Sequence, residues 1–354
     1  MTMDKGRNTG RYSKRAYRVI YLSILAMMLV AIGSAVIFNN LKNRMPDIEQ
    51  GVTEEYDGHF AFIVSSDDEG FWEGVYASVC EEATKDNIYI EDMSKSLGVN
   101  YSDTDLLRVA INSSVDGIIY GGTTNETAAA LIDRAVEEGI GVAILQNDID
   151  ASARQCFVGV NNYELGQMFA SQIAEIISGE EEISKKSVDV LIDRDMSEGA
   201  SNVITIAIED YFTENYPDYP IPELNIIRIN SDDAFSVEDD IRRLFLYEDM
   251  QSDMMLCLSS IHTQCVYQSL VDRNKVGDVQ VVGYFAGNSI LEAIEKQIIY
   301  STISVDTEEM GRDSVKALKE YMEEGYTNSY VPVSTQVIGY DQAKLISGQL
   351  GGGE

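Results

Sequence analysis

Between Ser65 and Trp72 the chain reads Ser-Ser-Asp-Asp-Glu-Gly-Phe-Trp. The carboxylates of Asp67 and Asp68 can accept hydrogen bonds from hydroxyl groups. The adjacent aromatics Phe71 and Trp72 offer faces that pack against the apolar C–H side of a sugar ring. Together these groups suit recognition of a polyhydroxylated solute. A plainer role is also open: Asp67 or Asp68 caps a helix, and Phe71 and Trp72 belong to its core stripe. One aromatic at most faces inward with that stripe, which leaves the other for a ligand. Catalysis has little to build on. Other acid pairs, such as Asp232/Asp233, read as solvated turns in so acidic a chain, and no activated nucleophile or base accompanies them. The two histidines, His59 and His262, are far apart, so no zinc or Ser-His-Asp constellation forms. Cys80, Cys156, Cys257 and Cys265 show no CxxC spacing and read as buried thiols, with one disulfide still open to a chain outside the cytoplasm. A binding protein without cofactor or metal is expected, not an enzyme.

The elements that must position these groups follow from periodicity. Short apolar runs recur at Phe60–Val64, Ile88–Ile90, Gly117–Tyr120, Gly141–Leu145, Cys156–Val160, Val188–Ile192, Leu224–Ile229, Met254–Leu258, Val279–Val282 and Ser301–Val305. Amphipathic stretches separate them, for example Phe71, Trp72, Val75, Tyr76, Val79, Cys80 and Ala83 at i, i+3, i+4 spacing. Further stripes are Leu165–Ile176, Leu291–Ile298 and Met310–Met322. Apolar strands alternating with helices predict parallel βαβ units buried on both faces. About ten strands exceed one closed eight-fold barrel and divide near Val160, so two doubly wound αβα lobes fit better. In such sheets ligands bind beyond the carboxyl ends of the strands.

Location comes from the uncharged segment Val19–Phe38, preceded by Lys5, Arg7, Arg11, Lys14, Arg15 and Arg18. At about 1.5 Å per residue it matches the roughly 30 Å core of a bilayer, and its basic flank belongs in the cytoplasm. A cleaved signal would find a passable site at Gly33-Ser34-Ala35, yet Val36-Ile37-Phe38 continues the apolar run. A lipoprotein signal lacks its cysteine. The expected protein is therefore single-pass in the cell membrane, with a cytoplasmic N-terminus and an extracytoplasmic binding domain. The whole chain carries 26 basic and 59 acidic residues, a net of −33. Setting aside the six bases and Asp4 of the leading tail leaves 20 against 58. Such a surface repels phosphate backbones and makes nucleic acid a poor partner.

The stretch His59–Trp72 and the run Asp116-Gly117-Ile118-Ile119-Tyr120-Gly121-Gly122 resemble bacterial solute-binding proteins of the ribose/galactose kind, whose fold is shared with the ligand domain of lactose-repressor-type regulators. Further matches are Gly139–Leu145, Val158–Gly166, Val281–Tyr284 and Ser301–Asp306 leading into Met310-Gly311. The resemblance runs from about His59 to Gly339. Charge, hydropathy and composition give a tail 1–18, a membrane helix 19–38, a stalk 39–58 and a flexible tail 346–354, and the resemblance implies one lobe of 59–160 plus about 307–330 and a second of 161–306 plus about 331–345. A repressor would carry a basic helix-turn-helix where this chain has its apolar segment.

Carried over by position, the family's ligand contacts fall on Asp67, Asp68, Phe71 and Trp72, then on Gln146-Asn147 where Asp-Arg is usual, and on Asn162 within Asn161-Asn162. They continue at Asn202 in place of an arginine, Ser259, Phe285 in place of an aspartate, and Asp306. Arginines and carboxylates that fork onto sugar hydroxyls are thus missing. Charge-assisted hydrogen bonds are worth roughly 1.5–3 kcal/mol each, so the implied ligand is less hydroxylated, more apolar or larger, or tight binding has been lost. The resemblance implies a sugar-like solute held between lobes that close about a hinge, and an ABC permease or a membrane histidine kinase as partner. A surface scaffold with a degenerate pocket is the alternative.

Overall fold

The computed structural model describes Met27 and residues 56–64, 69–96, 101–178, 185–230, 234–247 and 252–350. Apart from Met27, the apolar segment 19–38 lies outside the described residues. Among the described residues no helix is long and apolar enough to cross a membrane.

The strands are β1 (Gly58–Val64), β2 (Ile88–Asp92), β3 (Gly117–Gly121), β4 (Gly141–Leu145), β5 (Cys156–Gly159), β6 (Ser187–Asp193), β7 (Glu223–Ile229), β8 (Met254–Cys257), β9 (Gln280–Tyr284), β10 (Ser301–Val305), β11 (Tyr330–Pro332) and β12 (Thr335–Ile338). The helices are α1 (Glu69–Lys85), α2 (Met93–Ser96), α3 (Asp103–Asn112), α4 (Glu126–Glu137), α5 (Asn162–Ser178), α6 (Glu198–Asn215), α7 (Ala234–Tyr247), α8 (Ser260–Asp272), α9 (Asn288–Glu295), α10 (Thr307–Glu324) and α11 (Tyr340–Leu350).

Two six-stranded sheets result, ordered β11-β5-β4-β3-β1-β2 and β12-β10-β9-β8-β6-β7. All pairs are parallel except β10 with β12. Alternation along β1 shows why helices cover both faces. Phe60, Phe62 and Val64 enter one apolar cluster, while Ala61 and Ile63 enter another. A strand apolar on both sides is stable only between two helical layers. The two α/β lobes expected from the sequence are therefore present. β7 departs from the expectation of full burial: it is an edge strand, and Ile226 is 39% exposed. α11 also runs through Leu350, where a flexible tail was expected from 346. Ala343 is buried and Ile346 packs against the second lobe's outer cluster, which holds this end in helix.

Three segments pass between the sheets: Val160–Asn161, Asp306, and Val333–Ser334. They are tied to one another. Asp306 N donates to Ser334 O (3.0 Å) and Val333 N to Gly159 O (3.1 Å). Ser334 N donates to Glu309 Oε2 at 2.6 Å, and that bond holds the Glu309 carboxyl below the usual range.

Candidate functional site

In the first lobe Tyr120 and Asp103 shape the turn after β3. The buried Tyr120 hydroxyl donates to Thr123 O (2.8 Å) and Asp103 Oδ2 (3.2 Å), and Thr123 N donates to the same carboxylate oxygen (2.5 Å). Asn125 then caps α4 by accepting from Ala128 N at 3.0 Å. Thr124 is left pointing at the other lobe. There Arg228 fixes the matching turn after β6, donating to Met196 O (2.7 Å) and Arg194 O (3.1 Å), and Ser197 caps α6.

These turns meet. Thr124 N donates to Asp195 Oδ2 (2.9 Å) and Thr124 Oγ1 to Asp195 O (3.3 Å). Asn147 Nδ2 reaches Asp193 Oδ2 at 3.5 Å. Phe71 and Phe285 touch edge to face, with centroids 5.2 Å apart and planes at 82°. Beside these contacts lies a small solvent-open cavity, lined from both lobes by residues that include Thr124, Asn147, Asn162, Asp193, Met196 and Ser197.

Asp195 is only partly reached by water. Burial pushes its carboxyl above the usual 3.8; the Thr124 amide opposes this, and the charges of Asp193 and Asp103 add to the rise. A raised carboxyl contributes stability below its unfolded pKa and loses it as pH rises through the folded one. Asp195→Asn, whose amide oxygen can still accept from Thr124, is therefore expected to raise the urea midpoint near pH 7. That margin should shrink as pH falls through the raised folded value and vanish only below the usual 3.8, where the carboxyl is neutral in both states.

The sequence-predicted ligand residues divide. Asn147 and Asn162 line the cavity. Asp67 and Asp68 lie outside the described residues. Phe71 is 0% and Trp72 6% exposed, and both sit in the wall with Phe62 rather than on the cavity. The Trp72 ring lies on β3 where a Cβ at Gly121 would collide with it, so this glycine is its seat. The expectation that one aromatic remains free is corrected: the second lobe's Phe285 covers Phe71. Two aromatic faces admit a ring between them only at roughly 7 Å, twice the van der Waals separation. Gln146 follows β4 with φ 64° and bonds through its backbone to Val158 O. Asn202 is exposed and does not line the cavity. Ser259 caps α8 by accepting from His262 N (3.3 Å), and Asp306 caps α10 by accepting from Glu309 N (2.8 Å). Both side chains serve helix ends.

Sequence reasoning missed Thr124, Asp193 and Asp195. Asp193 and Asp195 do follow an apolar run, at the carboxyl end where ligands bind, but acid-rich turns are everywhere in this chain. All four cysteines are free, and burial raises the thiols of Cys156 to about 12 and Cys265 to about 11, which makes them poor nucleophiles.

No curated protein matches the sequence. Among solved structures, the chain is similar to GanP, a glucose-galactose binding protein from Geobacillus stearothermophilus, at 18% identity and a TM-score of 0.63, covering 81% of this chain and 99% of that one. An ABC transporter solute-binding protein from Agrobacterium vitis with bound D-fucose aligns at 15% identity and a TM-score of 0.64, over 82% and 99%. The XylFII-LytSN complex contains a chain at 18% identity and a TM-score of 0.63, over 81% and 100%. At these identities the likeness establishes the fold. Residues 60–327 match the model of the periplasmic binding protein domain, and the chain belongs to that family.

Proposed function

We infer that this chain is a membrane-anchored, extracytoplasmic solute-binding protein that takes a sugar or sugar-like small molecule between its lobes by hinge closure. The carrying observation is the cavity formed where the carboxyl ends of both parallel sheets face each other, with Asn147 and Thr124 from one lobe against Asp193 and Ser197 from the other. A solute held there contacts both lobes only when they meet, and so stabilises the closed form. The Val19–Phe38 segment supports the anchor by its length and its basic flank, and the same flank supports a binding domain outside the cytoplasm. Closure would then be read by a membrane partner, either an ABC permease that takes up the solute or a histidine kinase that reports it. Solved structures of this fold include an ABC transporter's solute-binding protein, which supports the uptake use, and XylFII in complex with LytSN, which supports docking on a partner protein.

One observation favours the scaffold reading: the Phe71–Phe285 contact fills the space between the lobes' aromatics. A thermal-shift panel on the full-length chain in detergent decides, using neutral monosaccharides, oligosaccharides, polyols and amino sugars. A solute at 100 times its dissociation constant should stabilise the fold by about 2.7 kcal/mol. No shift with any of them would remove the solute and leave the scaffold.

A further inference from the structure

Phe285 stands out among the residues that join the lobes. It follows β9 with φ 66°, in the left-handed region. Among the described residues, six other than glycine have positive φ; five are Asn, Ser or Gln, and Phe285 is the one aromatic. A bulky residue persists there only where its surroundings over-determine it, and such outliers gather at clamps and switches. The surroundings do so here. Phe285 N donates to Ile303 O (2.7 Å), and the buried Thr302 Oγ1 donates to Phe285 O (2.7 Å). The buried Thr263 Oγ1 accepts from Tyr284 N at 2.9 Å, which fixes the preceding residue. These bonds hold the backbone from both sides and aim the ring at the first lobe. There it covers Phe71, itself 0% exposed, with centroids 5.2 Å apart. A second contact across the lobes is polar: Asp195 Oδ2 accepts from Thr124 N at 2.9 Å. Both contacts are made by the chain's own groups.

We propose that Phe285 is an inter-lobe latch: seated on Phe71, it holds the two lobes together through contacts of the chain itself. This goes beyond the solute-binding reading and does not depend on it. A solute in the neighbouring cavity would add to a form that the chain already favours. A ring that stacks on Phe71 would first have to unseat Phe285, so the latch selects solutes that fit beside it. A membrane partner would meet the joined lobes as the resting form, and release of the latch would change the surface presented to it.

The test is hydrogen exchange of the full-length chain in detergent, without added solute, read at single amides by mass spectrometry. Two neighbouring amides report separately. Thr123 N is bonded to Asp103 within the first lobe, whereas Thr124 N is bonded to Asp195 across the lobes. In wild type both should exchange slowly. Phe285→Gly removes the ring and relieves the backbone, because glycine takes φ 66° without strain, so the fold should survive. It should speed Thr124 exchange ~10-fold and leave Thr123 unchanged, the scale of one lost aromatic contact. Phe285→Asn, also at ease in the left-handed region, should repeat that result. Thr124 exchanging as fast as an unbonded amide in wild type overturns the latch. So does slow Thr124 exchange in both variants, which would make the ring dispensable. Thr123 and Thr124 speeding up together also overturns it, because the turn itself has then loosened. None of these outcomes decides solute binding, which the thermal-shift panel tests separately.

Discussion

Gly311→Ala is expected to destabilise the folded chain by about 3 kcal/mol, although helix propensity alone favours alanine by roughly 0.5–1 kcal/mol. Gly311 is buried in the first turns of α10, where that helix crosses α1. A Cβ there would collide with the backbone carbonyl of Val75 and come within 3.0 Å of Ser78 Cβ and Val79 N. Backbone atoms cannot swing aside as a side-chain tip can, so the helices must separate. Their separation would loosen Met310, Val315 and Leu318, all buried in the cluster that α10 shares with β1 and α1. At roughly 2–4 °C per kcal/mol for a chain of a few hundred residues, the melting temperature should fall by about 6–12 °C. Gly70→Ala is the matched control: nothing stands within 4 Å of its Cβ position near the start of α1, and it should be neutral or slightly stabilising. Equal losses from the two variants would refute the close-approach account.

Arg154→Met is expected to cost about 3 kcal/mol. The guanidinium is bidentate on Asp148, donates through Nη1 to Ser329 O at 3.0 Å, and lies 5.9 Å over the Phe157 ring. That ring stacks on Tyr330 with centroids 5.7 Å apart. One side chain thus ties the loop after β4 to β11, which is next to the third crossing between lobes. The Arg154 side chain is 13% and that of Asp148 24% exposed. Removing one partner of a pair this sheltered leaves a poorly hydrated charge, which costs roughly 3–5 kcal/mol; the remaining exposure points to the lower end. Asp148→Asn with Arg154→Met should recover much of the loss, because no charge is then stranded. Urea midpoints of the single and double variants measure the recovery, and strict additivity would argue against the pair.

Both residues bear on how far the sequence could be read. Gly311 was already legible as part of Met310-Gly311 after the last apolar run, and the ten apolar runs became β1 to β10. β11 and β12 were not legible. They have three and four residues and are largely unburied, so no apolar run marks them; they exist because the crossing segments are held by Gly159, Glu309 and Asp306. The cleft was legible only where its polar groups follow a strand and differ from their surroundings, as Asn147 and Asn162 do. Asp193 and Asp195 resemble dozens of other acids, and what singles them out is a meeting with Asn147 and Thr124 some 46 and 71 residues away in sequence. Phe285 was read as a ligand position. Its contact with Phe71 depends on how the two lobes meet, which no local pattern encodes.

The most direct test of the two-lobe binding site is calorimetric titration of the full-length chain with D-glucosamine and D-glucose, comparing wild type with Asn147→Ala in one lobe, Asp193→Asn in the other and Asn202→Ala outside the cavity. The account predicts one site per chain, a loss of ~10-fold or more from each of the first two variants, and wild-type affinity for the third. A loss confined to one lobe, or one as large from Asn202→Ala, would contradict binding between the lobes.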